Sequence, residues 1–322
     1  MSTPTSGLPG APKLPRFTNG LTGQLSDWGY AAGWRLVRAL PEFAARNTFE
    51  AGALYAARGG GPAQLRKNLA RVLGVAPDEV PTSLIRASLA SYARYWREAF
   101  RLPSMDLAAV ARRLDEVFIG ADVLRGAHAA GRAGVIALPH SGNWDMAGVW
   151  LAQEFGTFAT VAERLKPESL YTRFLEYRES LGFEVFPLSG GERPPFEVLS
   201  ERLRDNTFVC LMADRDLTRS GVEVDFFGEA TRLPGGPARL ALETGAPLIP
   251  AHIHYRGDDC VVHVFEPLDT SSGDVTAITQ ALADTFAHAI AAHPEDWHML
   301  QPQWLADLSE ERRRRLDRAQ ES

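Results

Sequence analysis

His140 and Asp145 lie in the stretch Val135-Ile-Ala-Leu-Pro-His-Ser-Gly-Asn-Trp-Asp145, where a short apolar run gives way at once to small and polar residues. An imidazole at the mouth of a cleft acts as a general base near neutral pH, and a carboxylate within reach fixes its tautomer by hydrogen-bonding one ring nitrogen. The other nitrogen is then left to take a proton from a hydroxyl. The pair amounts to part of a catalytic triad without its nucleophilic serine. A structural account competes with this one: Asn and Asp at a helix start are favoured by capping and by the macrodipole, and a lone histidine near a strand end is commonly a satisfied polar group.

The elements around the pair supply the cleft. Val135 to Leu138 reads as a buried strand, Pro139 to Gly142 as a tight turn, and Asn143 as the start of an apolar helix through Val149-Trp150-Leu151. In an open α/β sheet such a turn lies at the carboxyl end of a strand, where ligands collect. Asp214, in Ala213-Asp-Arg-Asp216, follows the most apolar strand of the chain, so it reaches the same edge and can orient or electrostatically support the His140 and Asp145 pair. A surface ion pair with Arg215 is its bland alternative. Glu163, in Val161-Ala-Glu-Arg-Leu-Lys166, ends another strand, and Arg178, on the helix before Gly182, is expected to meet it from the other side. Buried Arg-carboxylate pairs are often scaffold, and that reading is open for both.

His140-Ser-Gly-Asn-Trp-Asp145 resembles the His-x-x-x-x-Asp motif of the glycerolipid acyltransferase superfamily, and in particular the branch of the late lipid A acyltransferases and the actinobacterial phosphatidylinositol mannoside acyltransferases. Likeness to the latter runs through Asp27-Trp-Gly-Tyr-Ala-Ala-Gly-Trp-Arg-Leu-Val-Arg, Gln64-Leu-Arg-Lys-Asn-Leu-Ala-Arg-Val-Leu, Met212-Ala-Asp-Arg-Asp-Leu and Gly221-Val-Glu-Val-Asp-Phe-Phe-Gly. The six-residue motif is moderately specific; the ordered set is strong. The resemblance implies transfer of a palmitoyl-like chain from acyl-CoA to a mannose hydroxyl, at the 6-position, of a phosphatidylinositol mannoside. It puts Asp214 at an acidic charge-relay position that is Glu in some relatives, Glu163 and Arg178 in the acceptor groove, and Ser220 and Glu243 near the thioester. Acyl-CoA is then a co-substrate, and no other cofactor and no metal is expected. Its phosphates call for cations and backbone amides at the rim, with an apolar tunnel for the acyl chain; Arg164, Lys166 and Arg215 and the pair Gly235-Gly236 are the candidates.

Three rival functions remain open on the sequence. One is a lipid A type enzyme drawing on acyl carrier protein, although such relatives usually begin with a membrane-spanning helix. Another is a metal-dependent hydrolase with His140, Asp145, Asp214 and His252 or His254 as ligands, the last two alternating on one face of a strand. The third is a non-catalytic membrane-surface protein using cationic N-terminal helices.

Bulk properties fit a cytosolic α/β enzyme. The chain has 322 residues, 45% of them hydrophobic, enough for one large core. A formal charge of −6 argues against bulk nucleic-acid binding. Two cysteines, Cys210 and Cys260, give neither a disulfide framework nor metal spacing. Met1 to Arg16 lacks the apolar centre of a signal peptide, and the longest apolar-rich stretch, Trp28 to Leu40, is interrupted by Arg35 and Arg38 and falls short of the about 20 residues a spanning helix needs. Peripheral attachment to an anionic membrane, at the cytosolic side of the plasma membrane, is the expectation.

In chain order, 1–18 reads as a disordered leader and 19–308 as one acyltransferase domain, helical over 19–131 and α/β over 132–308. Helices are expected from Ser26 to Pro41, Pro62 to Leu73, Ser83 to Leu102, Leu107 to Val117 and Ala121 to Gly131. The second of these is cationic and amphipathic, and suits an anionic membrane surface as well as a packed protein surface. Beyond the helix ending near Phe155, strand and helix alternate: strands at 157–162, 183–188, 207–213, 247–255 and 260–265, helices at 170–181, 195–204, 237–244 and 274–292. This predicts a largely parallel central sheet flanked by helices. Thr218 to Gly221 and Leu233 to Pro237 read as loops, and Trp304 to Arg318 as a charged tail.

Overall fold

A computed structural model describes residues 37–164 and 168–311. The expected leader, most of the helix from Ser26, Lys166 and the arginine run Arg312 to Arg315 lie outside the described residues. Residues 37–39 are helical, and α1 (Glu42–Ala56), inside the part expected to be helical but given no helix of its own, follows. Then come α2 (Ala63–Leu73), α3 (Thr82–Arg101), α4 (Leu107–Asp115) and α5 (Ala121–Ala129), within a few residues of expectation.

Six strands form the central sheet: β1 (Val135–Leu138), β2 (Ala159–Ala162), β3 (Glu184–Pro187), β4 (Val209–Met212), β7 (Leu248–Arg256) and β8 (Asp259–Val264), in the order β3-β2-β4-β1-β7-β8. All neighbours are parallel except β7 and β8, which form an antiparallel hairpin across Gly257-Asp-Asp. β1 therefore sits inside the sheet and is buried along its whole length. Its side chains alternate: Ile136 and Leu138 enter one core, Val135 and Ala137 the other. The first core is closed by α3, α4, α6 (Trp144–Phe155) and α7 (Glu168–Glu179). The second is closed by α8 (Pro195–Arg204), α9 (Gly236–Thr244) and α10 (Val275–Ala292).

A second sheet was not foreseen. β5 (Val222–Phe226) and β6 (Glu229–Leu233) form an antiparallel hairpin between the two expected loops. Val222, Val224 and Phe226 alternate with acidic residues, a period-2 signal, and Phe227 and Gly228 both take positive φ at the turn. Nor is Trp304 part of a charged tail. Its side chain is fully buried, with Nε1 donating to the Phe226 carbonyl at 2.9 Å; an indole against an apolar hairpin outweighs the charge of the residues that follow it.

α2 is a packed surface helix. Leu65 and Leu69 are buried, Arg71 is clamped between Glu229 and Asp307, and Arg66 donates to the carbonyls of Gly60 and Val80. Its cations are spent on the protein itself. Among the described residues no helix is long and apolar enough to cross a membrane.

Candidate active site

Register decides which residues meet. β1 and β4 are parallel with Leu138 opposite Met212, so the residue two past each strand, His140 and Asp214, emerge side by side at the carboxyl edge. Asp214 Oδ1 lies 2.7 Å from His140 Nδ1, and Oδ2 accepts the His140 amide at 3.0 Å and the Trp297 indole N–H at 3.0 Å. The Gln303 side-chain amide donates to the Asp214 carbonyl at 2.6 Å. Asp214 is fully buried; burial alone would raise its carboxyl pKa, but the His140 charge and these donors more than offset that and leave it below the usual carboxylate range. An ionised carboxylate only accepts, so Nδ1 carries a proton, and in the neutral ring the lone pair is on Nε2. The His140 side chain keeps 35% of its surface exposed, and no protein group among the described residues hydrogen-bonds Nε2.

The turn that presents His140 is built tightly. Gly142 has φ +54°, and a Cβ there would sit 2.7 Å from the Ile253 backbone, so glycine is required on both counts. Asn143 caps α6 by accepting the Met146 amide at 3.0 Å, and its own amide donates to Glu98. Trp144 lays its ring edge-on to His140, centroids 5.7 Å apart.

The hydrogen bond expected from Asp145 to His140 is not made. Asp145 sits in the first turn of α6 with its carboxylate turned inward, 2% exposed, accepting from the Tyr95 hydroxyl at 3.1 Å and facing Arg178 Nε at 3.4 Å. Burial, with Asp145 next, holds the Tyr177 phenol far above its ordinary pKa, so this pocket carries one carboxylate, one guanidinium and neutral phenols. Arg178 is thus committed to Asp145, and the expected meeting with Glu163 does not occur. Glu163 instead feels Arg215 across the β2–β4 edge, and burial raises its carboxyl pKa against that attraction.

Glu243 is displaced furthest from expectation. It lies near the carboxyl end of α9, just before β7 begins, and so at the amino edge of the parallel strands, across the sheet from His140. There it faces Arg204 at 3.5 Å, at the end of α8. Ser220 is exposed in the loop after β4, bonded to Thr218 at 2.7 Å and to Asp216 at 3.3 Å. Arg164 is exposed, paired with Glu168 at 2.8 Å and donating to the Gly190 carbonyl.

Nor do the four groups of the metal-ligand reading surround one point. His140 pairs with Asp214 and Asp145 with Arg178, while His252 and His254 are buried on β7, their rings 6.0 Å apart and stacked with His293. Among the described residues the group whose ligand atoms lie close enough for an ion is elsewhere, at His293, Glu295 and Asp296.

Beside the dyad lies an apolar cavity, between the sheet and α6. Trp144, Asp145 and Arg178 line it, and it is otherwise walled by side chains such as Leu138, Met212, Ile253 and Phe158. Trp144 touches both His140 and the cavity. Gly148 lies in its wall, with the Phe183 ring packed so close that a Cβ there would sit 2.5 Å from it. Trp297 and Gln303, which complete the polar site, had no motif or periodicity to announce them.

A parallel sheet thus carries a hydrogen-bonded histidine–aspartate pair at its carboxyl edge, beside an apolar cavity. Residues 19–306 match the model of the family described as bacterial lipid A biosynthesis acyltransferase, and the chain belongs to that family. It is similar to a protein of Mycolicibacterium smegmatis named phosphatidylinositol mannoside acyltransferase, 71% identical over 296 residues, covering 92% of this chain and 97% of that one. A protein of the same name from Mycobacterium tuberculosis is 68% identical over 313 residues, 97% of this chain and 98% of that one.

Proposed function

We propose that this chain transfers a palmitoyl-like acyl group from acyl-CoA to a mannose hydroxyl, at the 6-position, of a phosphatidylinositol mannoside. The observation that carries the reading is the adjacency, through the shared residue Trp144, of an apolar cavity and a His140 Nε2 that no group among the described residues hydrogen-bonds. The names of the two relatives supply the acceptor class.

In this mechanism His140 Nε2 takes the proton of the mannose hydroxyl as its oxygen attacks the thioester carbonyl. The C–O bond forms, the C–S bond breaks, and the imidazolium returns its proton to the departing thiolate. Asp214 holds the ring and stabilises the imidazolium; no covalent enzyme intermediate is needed. The acyl tail occupies the cavity. Arg164, Arg215 and the amino end of α9 at Gly235-Gly236 supply cations and amides for the coenzyme A phosphates. Phe43, Leu54 and Tyr55, exposed on α1, suit peripheral contact with the cytosolic face of the plasma membrane.

Incubating the protein with palmitoyl-CoA and a mannosylated phosphoinositide is expected to add one acyl group to the lipid, read by mass spectrometry. Running the same assay with palmitoyl-acyl carrier protein tests the donor. Transfer from the carrier protein alone would reassign the donor, and no transfer from either would overturn the proposal.

A further inference from the structure

The segment after α10 takes no part in the proposed chemistry, yet it fastens both turns that carry it. The Asp296 carbonyl accepts the Gly142 amide at 2.9 Å, the His298 amide donates to the His140 carbonyl at 2.7 Å, and Ser141 and Trp297 form an antiparallel bridge. On the β4 side, Arg215 Nε donates to the Pro302 carbonyl at 2.7 Å. Trp297 lies between the two turns, fully buried, with Nε1 3.0 Å from Asp214 Oδ2.

An indole nitrogen only donates, so this contact has one sense and favours the ionised carboxylate. With the His140 amide it gives Oδ2 two donors, and Oδ1 is left to face Nδ1. The indole itself is held by edge-on contacts with Phe226 and Trp304, centroids 6.1 Å away in both cases, so its N–H has one direction to point. Being fully buried, it touches no substrate. Whatever it contributes to transfer runs through Asp214.

We propose that Trp297 is a positioning residue of the acyl-transfer site, its indole N–H holding Asp214 so that the carboxylate keeps His140 in the tautomer and orientation that present Nε2 to the acceptor. The inference rests on the reading of His140 as the base. It makes the site a chain of indole, carboxylate and imidazole drawn from three separate parts of the sequence.

The test sets Trp297→Phe against Trp304→Phe. Trp304 is equally buried and also donates a single indole hydrogen bond, to the Phe226 carbonyl; it contacts neither His140 nor Asp214, and phenylalanine at 304 keeps an aromatic ring edge-on to Trp297 while removing the Trp304 N–H. In Trp297→Phe, kcat is expected to fall about ten- to a hundredfold, the loss of one hydrogen bond to a charged group, with KM for palmitoyl-CoA within about twofold. Trp304→Phe is expected to lower Tm comparably without that fall in kcat. In protein labelled with ¹⁵N-histidine, the His140 Nδ1–H resonance should move in the first variant and stay in place in the second. Wild-type kcat in Trp297→Phe overturns the inference, as do equal losses in both variants with an unmoved resonance. If the Phe variant is not recovered folded, benzothienylalanine at position 297 removes only the N–H and is read the same way. Should the wild type transfer nothing, the reading of the site fails, while an unmoved resonance separately refutes the link between Trp297 and the dyad.

Discussion

Asp214 and His140, 74 residues apart in sequence, meet at 2.7 Å because Leu138 and Met212 pair across two parallel strands. Their contact is therefore a property of strand register, and it is protected by burial of the carboxylate and by three donors to Asp214 besides the imidazole. Asp214→Asn keeps the shape and removes the charge. It also permits the amide to donate to Nδ1, which would place the proton on Nε2 and disable the base. We expect kcat to fall by roughly 10²–10⁴, the usual worth of general-base assistance, with little change in KM. His140→Ala should abolish detectable transfer and leave the circular dichroism spectrum intact; turnover retained in that variant would remove His140 from the mechanism.

Asp145 predicts a different phenotype from Asp214. Its carboxylate balances the Arg178 guanidinium beside the apolar cavity, and removing one partner of a buried pair strands the other charge. Asp145→Asn should cost about 3 kcal/mol or more of stability. Arg178→Met combined with Asp145→Asn should recover much of that loss. Urea denaturation checks both; a stable Asp145→Asn single variant that is catalytically dead would return Asp145 to the chemistry.

The sequence placed His140 at the carboxyl edge of the sheet but did not show which carboxylate it pairs with. Alternating apolar runs are read one segment at a time, and that sufficed for β1, its turn, α6 and the other strands of the central sheet. The pairing of β1 with β4 is a contact between distant segments and leaves no local trace, so Asp145, near in sequence, looked the better partner for His140. Glu243 illustrates the same gap: α9 runs from the carboxyl edge of the sheet back to the amino edge, and a residue near its end is carried away from the site. Trp304 was misjudged through its neighbours' charge, and Trp297 lies in an irregular segment with no period to read.

Gly148 offers a test of the cavity's contents. A Cβ at this position would lie 2.5 Å from the Phe183 ring and 3.0 Å from the Phe158 ring, both in the cavity wall. Gly148→Ala must therefore push aromatic side chains into the space assigned to the acyl tail, at an overpacking cost of about 1–3 kcal/mol. The expected result is a drop in turnover with palmitoyl-CoA and a shift of the preferred donor towards shorter chains. An unchanged chain-length profile in a folded Gly148→Ala protein would show that the tail lies elsewhere.

Three buried histidines outside the dyad set the acid limit of the fold. Burial lowers His252 to about 3, His254 to about 4 and His298 to about 3, from an ordinary value near 6.5, with neighbouring imidazoles adding repulsion. Each is neutral in the folded protein, and in the unfolded chain each takes up a proton once the pH falls below about 6.5. The unfolded state then binds more protons, so stability is complete above pH 6.5 and declines as the pH drops from there towards 4, by up to about 1.4 kcal/mol per pH unit for each histidine. Tm should accordingly fall steeply between pH 6.5 and 4.5 while changing little from 7 to 8. His252 carries an unpartnered buried Nε2, so His252→Gln, which cannot charge, should flatten the slope by about one histidine's share. A pH profile of Tm that is the same in wild type and His252→Gln would mean that this imidazole does not take up a proton on unfolding.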